Sequence, residues 1–400
     1  MILKKTAARI LLAVSAACIL LLTAGCWDDA EINGRAFVLG FGADENTGGT
    51  GYYFTFQLAI PVSGASDSSG SIEYTRCTVA ANSPAVAIAE LENNLGRQIN
   101  FEQINLIVIG ESLSHKYFLN LTEYFFRRAS VRRQSCIAVC SGSARDFFAS
   151  AATDKSISTD AAVTLQSYDD TNGPNTLSMN LYTLYKTVSN RDEFYLLRLS
   201  PVAADSPGNP PASGSGQDSD NEKKYVVSIS GALTYGRDGN YKGDVSADEL
   251  EMMKLISGSR TSGVLTAYDS QSNSRYCTQI RQSDCSTECR FADGTLEFHI
   301  RVSIVLAPLD SEGINGGAYT SERSRRIGKC AEETVSAKLK AIADRSRASL
   351  GSSVLGLQDI VRQRMPDSYE LYQSEWERIF ASSTIRFSVN CQVAGGGITK

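Results

Sequence analysis

The sequence predicts an α+β protein, built as three consecutive mixed α/β modules behind a cleaved lipoprotein signal peptide. Three observations carry this expectation. Period-2 apolar alternation recurs in separate stretches from residue 36 to residue 393, and period-3.6 stretches lie between them. A Pro/Ser/Gly-rich interval with neither period interrupts the chain near residue 200. The length of 400 residues fits two or three domains. The expected division is a signal peptide over 1–25, an N-terminal α+β domain over 26–152, a middle domain over 153–270 with a flexible insertion at about 200–224, and a C-terminal α+β domain over 271–400.

Lys4, Lys5 and Arg9 precede an apolar run from Ile10 to Leu22, and Leu22-Thr23-Ala24-Gly25-Cys26 forms a small-residue cleavage site closed by cysteine. The run is shorter than the roughly 20 residues that span a bilayer, so the segment reads as a removed leader. Cys26 then becomes the first mature residue and the lipidation site. Two acyl chains on its diacylglyceryl thioether anchor stably where one is marginal. The usual lipobox has Leu three residues before the cysteine; Thr23 stands there, with Leu22 one earlier.

Ala36 to Gly42 is a β-rich run, Gly48 to Gly51 a turn, and Phe54, Phe56, Leu58 and Ile60 alternate with their neighbours, which predicts a hairpin. Ser83 as N-cap, Pro84 at the first helical position and Gly96 past the end bracket a helix with Val86, Ala89 and Leu95 broadly on one side. Ile104 to Gly110 is apolar on both faces, a buried strand; Leu113 to Arg128 is helical, and Ser135 to Cys140 returns as a strand through a parallel crossover. Ser143 starts a short helix. Four of the nine prolines lie between Ser200 and Lys224, a linker composition. Tyr225 to Tyr235 resumes as a strand, Gly236 to Gly239 turns, and Ser246-Ala247-Asp248-Glu249 has a helix-start pattern. A third region begins near Tyr276. Leu296, Phe298, Ile300, Val302, Ile304 and Leu306 share one face of a strand over Thr295 to Ala307, and Ile327, Ala331, Val335, Leu339 and Ile342 mark a long amphipathic helix over about Ser321 to Ser349. A second helical segment reaches Met365, Trp376 to Phe380 follows, and Ile385 to Val393 closes as a strand.

Composition excludes several classes. Loss of the leader removes three of 39 basic residues against 44 acidic ones, leaving about −8, a poor balance for nucleic-acid binding. No second apolar stretch approaches 18 residues, so the lipid is the expected anchor. Eight cysteines follow Cys26, namely Cys77, Cys136, Cys140, Cys277, Cys285, Cys289, Cys330 and Cys391, and eight thiols allow too many pairings to read. Cys136 and Cys140 fall in a strand about 13 Å apart, which argues for core packing over zinc. A hairpin turn over Arg281 to Cys285 would bring Cys277 and Cys289 within disulfide reach.

No catalytic, cofactor or metal residues are expected. His115 and His299 are the two histidines, neither in a nucleophile or metal motif. Asp28-Asp29 and Asp169-Asp170 are adjacent carboxylates whose side chains diverge, and the glycine runs at Gly48 to Gly51 and Gly395 to Gly397 lack a P-loop lysine. Arg127, Arg128, Arg132 and Arg133 form the densest positive cluster of an acidic chain. They read first as a solvated helix end, with contact to anionic lipid as the alternative.

Several motifs stand in a recognisable order: Cys26-Trp27-Asp28 with Glu31-Ile32; Asn94-Leu95-Gly96-Arg97; Ile107-Val108-Ile109-Gly110-Glu111; and Phe125-Phe126-Arg127-Arg128 with Val131-Arg132-Arg133. Gly231-Ala232-Leu233 through Gly243, Glu249 and Leu255 to Gly263 continue the series, and the helix from about Ser321 and Trp376-Glu377-Arg378-Ile379-Phe380 complete it. Taken together they resemble the Ger(x)C family, the lipoprotein subunits of bacterial spore germinant receptors. The resemblance implies three α+β domains in a row, no catalytic residues, an anchor on the outer face of the spore inner membrane, and action with an A subunit and a multi-pass, transporter-like B subunit in nutrient-triggered germination. An extracytoplasmic solute-binding lipoprotein of a transporter is the alternative, and would show two α/β lobes around a ligand cleft.

Overall fold

The computed structural model describes residues 32–62, 71–150, 157–169, 178–203, 225–257, 263–269, 274–292, 294–312 and 321–394, together with Ser15. The expected leader apart from Ser15, Cys26, Asp28-Asp29, Asp170, the 204–224 part of the insertion and the last glycine run lie outside the described residues. The α+β class holds: fourteen described strands form one sheet of ten and one of four, with helices on their faces.

The large sheet begins with β1 (Arg35–Glu45), β2 (Tyr52–Val62) and β3 (Ser71–Ala81), an antiparallel meander that contains the expected hairpin. Helix α1 (Pro84–Leu95) then crosses back. Ser83 Oγ accepts the Val86 N–H, Pro84 occupies the first turn, and Gly96 at φ 61° closes the helix, as the capping residues predict. Its buried face differs from the expected one. Pro84, Ala87, Ile88 and Leu91 are buried whereas Val86 is 54% exposed, because the 84/88/91/95 row carries the larger area per turn.

β4 (Gln98–Asn100) and β5 (Leu106–Gly110) both pair parallel with β1. The helix expected over Leu113 to Arg128 is two: α2 (Glu111–Ser114) and α3 (Leu119–Arg127), with Phe118 buried at the bend. β6 (Cys136–Cys140) returns parallel to β5, completing the crossover, and all five of its residues are buried. α4 (Ala144–Ala149), capped by Ser143, and α5 (Ile157–Asp169) cover one face. β7 (Met179–Asn180), α6 (Leu181–Ser189) and β8 (Phe194–Ala203) follow, with β8 parallel to β6 and running into residues expected as linker. β9 (Tyr225–Tyr235) pairs antiparallel with β8, and β10 (Tyr241–Ser246) pairs with β9. The path of the sheet is β10-β9-β8-β6-β5-β1-β2-β3, so strands from both sides of residue 152 share it. α7 (Ala247–Ser257) starts on a reciprocal cap: Glu249 accepts the Ser246 N–H at 2.9 Å and donates its own N–H to Ser246 Oγ.

The small sheet runs β11-β12-β13-β14. β11 (Gly263–Asp269), β12 (Ser274–Ala292) and β13 (Thr295–Glu312) are antiparallel, and β14 (Thr384–Val393) joins β13 in parallel. No turn forms over Arg281 to Cys285. β12 continues through it, paired with β13 on both sides of a register shift near Ile280, so Cys277 lies opposite Asp310 and Cys289 opposite Phe298. Those two residues are far apart on one strand, and all eight described cysteines are free thiols. The stretch has no Gly, Pro or Asn to turn on, and alternation carries straight through it.

Between β13 and β14 lie α8 (Ser321–Arg345), which continues as a π turn at Ser346–Leu350, then α9 (Leu357–Arg364), α10 (Pro366–Tyr372) and α11 (Trp376–Ala381). Every expected face residue of β13 and α8 is buried. Each of the Leu, Ile, Val and Phe side chains among them contributes about 1.5–3 kcal/mol. Gly328 lets α8 approach closely: a Cβ there would stand 2.7 Å from the Cys391 carbonyl oxygen of β14. One face of the large sheet packs on α1, α3 and α6. Its other face shares a continuous core with α4, α5, α7, α8 and the small sheet.

Candidate functional site

β1, β5, β6 and β8 all run in one direction, so the large sheet has an amino edge and a carboxyl edge. The carboxyl edge is acidic. Asp44, buried, accepts the Ala144 and Arg145 N–H groups at 2.7 and 2.9 Å and caps α4. Burial raises its pKa, only partly offset by those hydrogen bonds. Glu45 pairs with Lys116, and Glu111 accepts the Gly142 N–H at 2.9 Å. These carboxylates are committed to holding loops.

The histidines do not assemble a nucleophile. His115 packs on Tyr241 with ring centroids 4.4 Å apart. His299 Nε2 lies 2.7 Å from Ser388 Oγ, and Glu288 is its cross-strand neighbour, which places a serine, an imidazole and a carboxylate in a row. Arg301 takes both Glu288 oxygens, at 2.7 and 3.0 Å, so that carboxylate is engaged elsewhere. An orienting acid on Nδ1 is what a triad needs. No group of three His, Cys, Asp or Glu among the described residues is arranged to hold a metal ion. No helix among the described residues is long and apolar enough to cross a membrane.

The amino edge carries two features. The first is a polar junction between the large sheet and the helices that precede β14. Glu193, directly before β8, has a side chain 2% exposed and accepts from Lys242 Nζ at 2.8 Å, Ser352 N at 2.5 Å and Ser352 Oγ at 2.7 Å. Trp376 Nε1 donates to Ser352 Oγ at 2.7 Å, and Lys242 also reaches Glu377 at 3.0 Å. Beside it, Asp192 accepts from Arg362 at 2.6 Å and from Gln358 at 2.8 Å, while Tyr369 Oη takes a second Gln358 bond at 2.7 Å. Burial disfavours the charge on Lys242, but Glu193 and Glu377 outweigh it and push its pKa up. Arg362 is raised in the same way, against burial, by Tyr369 and Asp192. A Cβ on Gly351, at φ 88°, would fall 2.6 Å from Glu193 Oε1, so the carboxylate fits only against a glycine.

None of the junction residues was singled out from sequence for this role, although Trp376 belongs to a recognised motif. The one local signal was Asp192-Glu193 directly ahead of the apolar run of β8, two acids where burial begins. Their partners sit about 50 to 170 residues away.

The second feature is basic and aromatic. The arginine cluster is split by the fold. Arg127 ends α3 and pairs with Glu123 at i,i+4, while Arg128 lies over the Phe101 and Tyr124 rings at 5.5 and 5.3 Å. The helix-end reading covers these two. Arg132 and Arg133 stand beyond it, exposed on the turn before β6, where the Arg133 carbonyl accepts the Tyr182 N–H at 3.0 Å. Phe126, Arg127, Arg133, Tyr182 and Tyr185 rim a cleft of about 330 Å³ floored by Phe125, Val131 and Leu181. Arg and Tyr on an apolar floor are the residues that dominate contact energies at interfaces.

Comparison with known proteins bears on what this scaffold serves. A family model described as the spore germination protein N-terminal domain matches residues 28–201, and one described as spore germination B3/GerAC like, C-terminal, matches residues 230–397. The chain is 20% identical over 381 residues to spore germination protein B3 of Bacillus subtilis (strain 168), covering 94% of this chain and 96% of that protein. It superposes on the crystal structure of the GerBC protein with a TM-score of 0.54 at 17% identity, covering 88% of this chain and 96% of that one, a likeness of fold.

Proposed function

Because the chain belongs to the Ger(x)C family of spore germination proteins, we propose that it is the non-enzymatic, lipid-anchored C subunit of a nutrient germinant receptor. In this reading Cys26 carries the lipid, and the protein sits on the outer face of the spore inner membrane beside an integral-membrane A subunit and a transporter-like B subunit. The observation that carries it is the ordered match of both family models across nearly the whole chain. The structure supports the same direction. Asp44 is held by the start of α4 and Glu288 by Arg301, and Arg127, Arg133, Tyr182 and Tyr185 border a cleft suited to docking. The junction of Asp192 and Glu193 ties the helices that precede β14 to the large sheet.

The test is a crosslinked pull-down from detergent-solubilised inner membranes of dormant spores, with partners identified by mass spectrometry and Cys26→Ala as the control. Recovery of two membrane proteins, one of them transporter-like, is the expected result. Recovery with an ATP-driven permease instead would replace it with the solute-binding reading.

A further inference from the structure

We propose that the amino edge of the large sheet rests on the anionic headgroups of the bilayer, with Arg132 and Arg133 as the contacting cations and Tyr182 and Tyr185 beside them at headgroup depth. The inference deepens the anchored reading above and rests on Cys26 as the lipid site. It begins with the tether. Cys26 and Ile32 are six residues apart, which span at most about 20 Å when fully extended. The chain enters the fold through the turn at Ile32–Gly34 and starts β1 at Arg35, on the amino edge. That edge is therefore held within about 20 Å of the membrane surface.

Register places the arginines on the same edge. Gly40 of β1 is level with Leu106 of β5, and Leu106 with Cys136 of β6. Arg132 and Arg133 precede Cys136 by only a few residues, and β1 and β6 are parallel to the strand between them, so the segment lies on the side where the tether emerges. Charge agrees with this placement. At the opposite edge the cations Lys116 and Arg198 are paired with Glu45 and Glu111, so they are not free to meet an anionic surface. Arg132 and Arg133 are exposed, and neither forms an ion pair among the described residues. Tyr182 is 55% exposed and Tyr185 is 50% exposed, on successive turns of α6. Tyrosine presents an apolar ring and a polar tip, the chemistry that settles at a membrane–water boundary.

A basic residue near an anionic surface contributes enough that losing two lowers partitioning about thirty-fold. The experiment uses the full mature chain carrying Cys26→Ser, so that acyl chains do not dominate, and measures cosedimentation with vesicles of phosphatidylcholine alone or mixed with phosphatidylglycerol. Binding is expected only with phosphatidylglycerol, weakened by salt, and about thirty-fold lower for Arg132→Ala/Arg133→Ala. A charge-matched control, Lys329→Ala/Lys340→Ala on exposed positions of α8, keeps the wild-type affinity. Circular dichroism confirms that both variants are folded. Equal losses in the two double variants, binding indifferent to phosphatidylglycerol, or no binding overturns the inference. Mass spectrometry of the Cys26 peptide from cell membranes tests the anchor separately. An unmodified peptide would remove the anchored reading while the vesicle result still decides the face.

Discussion

Lys242→Met tests whether the junction is an interdependent unit. Methionine keeps the aliphatic stem of Lys242 and removes the ammonium that lies 2.8 Å from Glu193. The carboxylate, 2% exposed, would keep its two hydrogen bonds from Ser352 but lose its counter-charge. Breaking one partner of a buried pair costs about 3–5 kcal/mol, and the remaining Ser352 bonds place this case near 3 kcal/mol. Glu193→Gln is milder. It removes the charge but keeps an oxygen for the Ser352 N–H, and Lys242 falls back on Glu377 at 3.0 Å, so about 1 kcal/mol is expected. The double variant has neither charge, and its loss is expected to be about 2 kcal/mol, below the sum of the singles, which gives a coupling of about 2 kcal/mol. Urea unfolding supplies the energies. Trp376, which donates to Ser352, supplies a fluorescence probe within the junction, with Trp27→Phe removing the other of the two tryptophans. A Lys242→Met protein within 0.5 kcal/mol of wild type, or strictly additive effects, would refute the argument.

Four further outcomes are expected. Arg191, at φ 54°, closes α6 where glycine is usual, with its own N–H on the Val188 carbonyl and the Asp192 N–H on Thr187. Arg191→Gly relieves that strain and raises the unfolding free energy by about 0.5–1 kcal/mol in urea, a gain whose absence would show that another contact of Arg191 offsets it. Gly328→Ala pushes α8 off β14 and costs about 1–2 kcal/mol despite alanine's better helix propensity, measured as a lower midpoint of thermal unfolding. Burial alone would raise the Glu249 pKa, but hydrogen bonds from Ser246 and Arg345 hold it below the ordinary 4.5. Its stabilisation is therefore complete above that value and lost as pH falls through the lower folded value, so Glu249→Gln flattens the acid limb of a stability–pH curve. Finally, burial pushes the Cys285 thiol up to about 11 and the Cys391 thiol up to about 12, so both react slowly with a thiol reagent near neutral pH and quickly once the chain is unfolded.

Much of the local structure was legible because its causes are local. The Ser83, Pro84 and Gly96 frame of α1, the Ser246 and Glu249 cap of α7 and the six-residue apolar face of β13 are each written within one element. Where the structure departs from expectation, a local signal is too weak to choose. In α1 two apolar rows compete, and packing selected the one with Ile88 and Leu91. The turn over Arg281 to Cys285 on which a Cys277–Cys289 pair depended does not form, because pairing with β13 sustains a strand of 19 residues through it.

By itself, then, the sequence determined the α+β class, most strands and helices with their caps, the family resemblance, and the expectation of a lipid on Cys26. Tertiary structure alone decided that β9 pairs with β8 across the Pro/Ser/Gly-rich interval, that β14 runs parallel to β13, and that Arg132 and Arg133 share an edge with the start of β1. It also assembled the junction, in which Glu193 finds Ser352 across 159 residues. The physical reason is the range of the forces involved. Caps and periodicities are satisfied within a few residues, whereas strand partners and buried charges are settled by whichever distant group completes their hydrogen bonds once the core has closed.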